Sequence, residues 1–251
     1  MASALTTRIQ LCGQLVVNLR GRRIEAELPG RQGRLLLVHL ILHRHRSATR
    51  DELVEALWPA GTPPAAEAAL AALVSKLRRV LGAEHLVGRG EIRLLLPEDS
   101  QVDIEVAWEA IHRAESALTA ADPHRAWAPS QAALFVARRG FLPGEDLPWV
   151  DECRREVEEL HLRALEAYGS ACLAVGGAEY AAAVRVGRQL VALAPYRENA
   201  HRLLIEALAA TNNRAEALLA YEALRGWLRE ELGISPTPAL QELHSRLLRA
   251  G

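Results

Sequence analysis

Three observations predict a mainly α protein in two parts: a small α+β head over residues 1–100 and an all-α body over residues 101–251. In the second half, amphipathic helices recur in pairs, with Gly176-Gly177 and Asn212-Asn213 at equivalent tight turns 36 residues apart. The first hundred residues instead mix short strand-like runs with three helical ones and end in a Gly-tipped hairpin. Half of all residues are apolar but only 4% are aromatic. Leu, Ala and Val must therefore fill the core, which suits helices packed through small side chains.

Taken in order, Arg8–Leu19 reads as two short strands turning at Gly13, and Gly21 sets a turn into Arg22–Glu27, giving a small antiparallel sheet. After Pro29-Gly30, residues 32–44 have helical length and apolar character on most sides, as a buried helix should. Thr49 and Glu52 form a Thr-x-x-Glu capping box ahead of Leu53, Val54, Ala56, Leu57 and Trp58, and Pro59 ends that second helix. A third helix runs over 65–81 and stops at Gly82. Residues 85–90 and 91–96 are two strands around a Gly-rich tip. Sheet, three helices and hairpin together predict a winged helix-turn-helix, with a longer turn between the second and third helices than in the simplest form. Polar Pro97–Gln101 is expected to be the linker.

Beyond it, helices are expected at 103–121, 124–138, from about 149 to about 175, 178–193, 198–211, 214–232 and 237–249. The spacing is near the ~34-residue period of tetratricopeptide-like (TPR-like) repeats. Stacked pairs of this kind make interaction surfaces rather than catalytic pockets. Trp108, Trp127, Trp149 and Trp227 are expected to pack between helices.

A net charge of −1 is a poor match to nucleic acid, but it hides an asymmetry: residues 1–100 carry +4 and residues 101–251 carry −5. A basic head on an acidic body points toward nucleic acid. On the third helix, Leu70, Leu73, Val74, Leu77, Val80 and Leu81 form one face. The opposite face carries Ala68, Ala72, Ser75, Lys76 and Arg79, with Arg78 on its flank. Ala can meet a thymine methyl, and Arg or Lys can grip guanine or phosphate. Arg89 and Arg93 on the hairpin, Arg50 at the start of the second helix, and Arg31 and Arg34 at the start of the first are candidate phosphate contacts. A solvated basic helix end complementing the helix dipole accounts for the same charges on the third helix.

Other chemistry finds little support. His39 and His43 are four apart on a helix and could share a metal, with His45 close by. No acidic or cysteine partner stands at zincin spacing, so no metal and no cofactor are expected. Cys12, Cys153 and Cys172 make neither a ligand pattern nor a disulfide framework, as befits reduced thiols in a cytoplasmic protein. No nucleophile motif suggests an enzyme. Lys76, the single lysine, is not preceded by a glycine-rich loop, so no P-loop is expected. No apolar run nears the ~20 residues that span a bilayer, so no membrane association is expected.

Two stretches of the head, Asp51–Trp58 and Val74–Gly82, and several of the body resemble a known family. In the body they are Gly140–Gly144, Trp149-Val150 with Arg154, Pro195–Glu198, His201–Leu204, Ala217–Tyr221 and Glu231–Pro236. Together they resemble the SARP-type antibiotic regulatory proteins, which join an OmpR-like winged helix to a bacterial transcriptional activator domain. The resemblance implies a transcriptional activator, in the setting of secondary metabolism. Such a protein binds tandem direct repeats in double-stranded promoter DNA, often as head-to-tail pairs, and recruits RNA polymerase. A homodimer on DNA is implied with it. By position, Ser75, Lys76, Arg78 and Arg79 match the groove helix, and Arg89 and Arg93 match the wing. Gly90-Glu91-Ile92 departs from the Gly-Tyr step usual there, and an acidic tip repels phosphate. The competing expectation is a helical-repeat adaptor whose winged helix has little DNA affinity.

Overall fold

The computed structural model describes residues 6–249. One compact unit runs to Val106 and takes in Arg139–Val157; Ala107–Arg138 and the chain from Glu158 onward form a second.

In the first unit, β1 (Arg8–Gln10), β2 (Val16–Leu19) and β3 (Arg22–Arg23) form an antiparallel meander. Period-2 alternation buries Ile9, Val17 and Leu19. Helix α1 (Gly30–Leu42) is buried on nearly every side from Leu35 to Ile41, as its continuous apolar run requires. Strand β4 (Ala48–Thr49), unexpected from sequence, leads into α2 (Arg50–Leu57). After α3 (Ala66–Leu81), β5 (Leu86–Val87) and β6 (Glu91–Leu94) form the hairpin. β6 also pairs with β4, Ala48 opposite Ile92 and Thr49 opposite Glu91, giving a sheet of order β4-β6-β5. This is a winged helix-turn-helix.

Two local expectations change. The capping box is half formed. Thr49 Oγ1 accepts from the Glu52 amide at 3.2 Å, but the Glu52 carboxylate takes both Nη groups of Arg46. A charged fork outcompetes a neutral backbone N–H for a carboxylate. Nor is Pro97–Gln101 a plain linker. After a turn at Pro97–Ser100, β7 (Gln101–Val102) pairs in parallel with Arg8–Ile9 and widens the first sheet to β3-β2-β1-β7.

The segment from Arg139 completes this unit. Gly13 donates to the Gly140 carbonyl at 2.7 Å and Leu142 to that of Leu11 at 3.1 Å. The Asp103 carboxylate accepts from the Leu11 and Cys12 amides at 2.8 and 3.1 Å and from Arg139 Nη2 at 2.9 Å. Arg154 explains its place beside the Gly140–Gly144 signature: its guanidinium donates to the Phe141, Leu142 and Glu145 carbonyls and to Asp151. Trp149 Nε1 donates to the Ala56 carbonyl at 3.0 Å, satisfying an orphan acceptor in the last turn of α2. Beside it lies His39, only 6% exposed, which burial and the neighbouring His43 hold down at about 4.

Helices α4 (Asp103–Thr119), α5 (Pro123–Ala137), α6 (Pro148–Val175), α7 (Tyr180–Leu193), α8 (Glu198–Ala210), α9 (Arg214–Leu232) and α10 (Pro238–Arg249) supply the rest. Their starts are written locally. Asp122 accepts from the Arg125 amide at 3.1 Å, and Pro123 and Pro148 stand at first-turn positions where no N–H is missed. Gly233, left-handed at φ 67°, closes α9. The second unit is a TPR-like stack in which small residues let α7 and α8 approach closely: a Cβ added at Gly187 would lie 2.9 Å from Leu204 Cα. Ala183, Ile205, Leu208, Ala217, Tyr221, Leu224 and Leu240 form its core. The remaining family signatures lie here. His201 Nε2 lies 2.9 Å from the Pro195 carbonyl, Arg197 pairs with Glu159 and Glu166, and Glu198 accepts from the Thr237 amide at 2.7 Å. Among the described residues no helix is long and apolar enough to cross a membrane.

Candidate nucleic-acid interface

The groove helix of the sequence reading is α3, and its two faces separate as its 3.6-residue period requires. Leu70, Val74, Leu77 and Leu81 are buried, while Leu73 and Val80 are half-buried. Ala68, Ala72, Ser75, Lys76 and Arg79 are all exposed, and so is Ala71, which widens the small-residue surface. Gly82, at φ 101°, ends the helix, and Arg22 Nη2 donates to the Val80 carbonyl at 2.7 Å, an acceptor in the last turn that the sequence did not assign to it.

The candidate cations fall into two groups. Arg78, Arg50 and Arg31 are engaged within the protein. Arg78 reaches from α3 to the hairpin, with Nε donating to the Leu86 carbonyl at 2.8 Å and Nη2 to that of Gly88. Arg50 joins three elements: it donates to the Glu67 carboxylate at 2.7 Å, to the Glu67 carbonyl at 3.2 Å and to the Arg89 carbonyl at 3.4 Å. Arg31 pairs with Glu145 at 2.7 Å. Sequence spacing could not reveal these engagements, because each partner is remote along the chain or set by the path of the hairpin. In the second group, Lys76, Arg79, Arg89, Arg93 and Arg34 are exposed and form no ion pair or side-chain hydrogen bond among the described residues. Arg34 borders a cleft with Gly13, Pro143 and Glu145.

The hairpin is rigidly built. Gly88, at φ 90°, is required at its turn, since an added Cβ would lie 1.9 Å from the Glu91 carbonyl oxygen. His85, buried, bridges its strands through Nδ1 and the Leu95 carbonyl at 2.8 Å. Strand alternation buries Ile92 and Leu94 and exposes both Arg93 and Glu91, so the wing presents one acid beside its base. The arrangement offers a shallow, small-residue helix face flanked by unpaired cations on a braced hairpin. The charge of such a face suits a polyanion. Burial pushes the pKa of Cys12 up to about 12 and those of Cys153 and Cys172 to about 11, which disfavours the nucleophilic thiolate.

Known proteins place this architecture. The model of the bacterial transcriptional activator domain matches residues 102–248. The model of the C-terminal domain of transcriptional regulatory proteins matches residues 25–89. Regulatory protein AfsR of Streptomyces griseus is 36% identical over 224 residues, covering 87% of this chain and 22% of AfsR. The chain thus spans about a fifth of that relative's length. Transcriptional regulator RedD of Streptomyces coelicolor is 31% identical over 227 residues, covering 86% of this chain and 63% of RedD. The structure of Mycobacterium tuberculosis EmbR in complex with a low-affinity phosphopeptide superposes with a TM-score of 0.84 at 26% identity, covering 98% of this chain and 65% of EmbR. With an OmpR-like winged helix followed by a bacterial transcriptional activator domain, the chain belongs to the SARP-type family of transcriptional regulators, which are not enzymes.

Proposed function

We propose that this chain is a sequence-specific DNA-binding activator that acts in the cytoplasm on tandem direct repeats at promoters, binds them as a homodimer, and recruits RNA polymerase through its helical repeats. The observation that carries this reading is the exposed face Ala68, Ala72, Ser75, Lys76 and Arg79 of α3, flanked by the free cations Arg89 and Arg93. In this reading α3 enters the major groove. There the alanines meet thymine methyls, Ser75 adapts to a base edge, and Lys76 and Arg79 grip guanine or phosphate. Arg89, Arg93 and Arg34 hold phosphates. Arg50 and Arg78 brace the hairpin against α2 and α3, and Arg31, exposed and paired with Glu145, stays a phosphate contact in this reading.

The test is capture of fragmented genomic DNA of the source organism at near-physiological salt. Enrichment of a few promoter fragments sharing short tandem repeats is the expected result. One observation favours the adaptor reading: Glu91 lies exposed two residues from Arg93 on the wing. No enrichment by a folded protein, together with capture of polymerase subunits that persists in an Arg79→Ala variant, would establish the adaptor instead.

A further inference from the structure

We propose that His39, His43 and Glu52 form a binding site for one divalent transition-metal ion of the zinc class, held by two imidazole nitrogens and one carboxylate oxygen. The three residues each offer a ligand atom, and these atoms lie within 4.8 Å of one another. His39 lies in the last turn of α1 and His43, four residues on, caps that helix, which brings the two rings to 4.3 Å between centroids. Glu52 arrives from the first turn of α2, which is why sequence spacing alone showed a histidine pair without an acid.

The geometry fits zinc chemistry at three points. Zinc–nitrogen and zinc–oxygen bonds of about 2.1 Å put neighbouring tetrahedral ligands about 3.4 Å apart. His39 Nε2 already lies 3.5 Å from Glu52 Oε1. Next, His43 Nδ1 lies 2.8 Å from the His39 carbonyl. A donor there fixes the tautomer and leaves Nε2 with its lone pair free, the usual outer-sphere arrangement of a metal-binding histidine. Finally, His39 is 6% exposed, and neither of its ring nitrogens has a hydrogen-bond partner. Buried polar atoms rarely stay unpartnered; a metal supplies a partner to Nε2 and leaves the proton on Nδ1.

Glu52 Oε1 faces His39 but also accepts from Arg46 Nη2 at 2.5 Å, so the ion must displace that contact, while Oε2 keeps Arg46 Nη1 at 2.9 Å. A mixed nitrogen and oxygen set suits zinc, cobalt and nickel over calcium or magnesium. The ion would fasten α1 to the start of α2, where Arg50 reaches the tip of the hairpin. Metal binding would thereby stiffen the support of the groove helix.

The test is titration of chelator-treated full-length protein with Zn²⁺ by calorimetry and with Co²⁺ by visible absorption. One ion per chain, cobalt d–d bands of tetrahedral intensity and a higher Tm with zinc are expected. Affinity should fall by at least about tenfold in both His43→Ala and Glu52→Gln. It should be unchanged in His124→Ala, which alters an exposed histidine of the second unit. His39→Ala is avoided because that side chain is buried; His43 and Glu52 are only half-buried, and circular dichroism checks that their variants keep their helices. Failure of the folded wild type to take up one equivalent overturns the site, as does affinity within twofold of wild type in either ligand variant. Neither outcome bears on DNA capture.

Discussion

Replacing Arg78 and Arg79 one at a time with Ala separates bracing from contact on a single helix turn. Arg78 donates to two hairpin carbonyls, Leu86 and Gly88. A hydrogen bond from a charged donor contributes about 1.5–3 kcal/mol when dry, and solvent at this half-buried site reduces the pair together to about 2 kcal/mol. A domain of this size loses about 4 °C of Tm per kcal/mol, so Arg78→Ala should melt about 8 °C lower. Arg79 is exposed and unpaired among the described residues, so Arg79→Ala should melt with the wild type. On a duplex taken from the genomic capture the order reverses in kind. Arg79→Ala should lower affinity by about 5–150-fold if the guanidinium grips a base. If it grips a phosphate, the dependence of log K on log salt should become shallower by about 0.9. Calorimetric melting and fluorescence anisotropy at several salt concentrations read both effects. Equal melting losses in the two variants would refute the division into brace and contact. An Arg79→Ala protein with unchanged affinity and salt slope would remove α3 from the groove.

Gly88→Ala forces a side chain to φ 90° and against the Glu91 carbonyl; it should cost about 1–3 kcal/mol and weaken DNA binding, and an unchanged melting curve would contradict the turn geometry. Gly187→Ala wedges a methyl group against Leu204 and should lower stability by about 1–3 kcal/mol in urea unfolding, with an unshifted midpoint as the contrary result. Burial holds His161 and His201 below their usual pKa. The unfolded chain therefore takes up protons first as pH falls through about 6.5, and stability should drop between pH 7 and 5. The drop should be smaller in His201→Gln, and equal Tm at pH 7 and 5 in the wild type would disprove the linkage.

Helix ends were legible because local chemistry writes them. Thr49, Asp122, Pro123 and Gly233 act within one turn of themselves, so α2, α5 and α9 start or stop where the sequence says. The exposed face of α3 was legible for the same reason, since its period is intrinsic. What escaped depends on distant partners. Ala48–Thr49 is a strand only because β6 passes beside it, and Gln101–Val102 only because Arg8–Ile9 lies open on that side. The step of about 100° per residue already sets Arg78 on the flank of the face that carries Arg79, but only the path of the hairpin makes that flank position a brace. Glu52 looked like half of a cap until Arg46 claimed it. That the Gly140–Gly144 signature folds against Leu11–Gly13 had no local signal at all.

That return of the chain bears on how this regulator can be divided. A stop codon after Ser100 would leave the first sheet without β7, without Asp103 to receive the Leu11 and Cys12 amides, and without the indole of Trp149 under α2. Such a fragment is an interrupted domain deprived of its closing segment. Failure of it to bind DNA would report misfolding rather than an absent reading helix. Exchange of winged helices between relatives by splicing at the apparent linker meets the same obstacle. Because the first compact unit takes in Arg139–Val157 as well as the chain to Val106, point substitution tests either activity with less disturbance than truncation at Ser100.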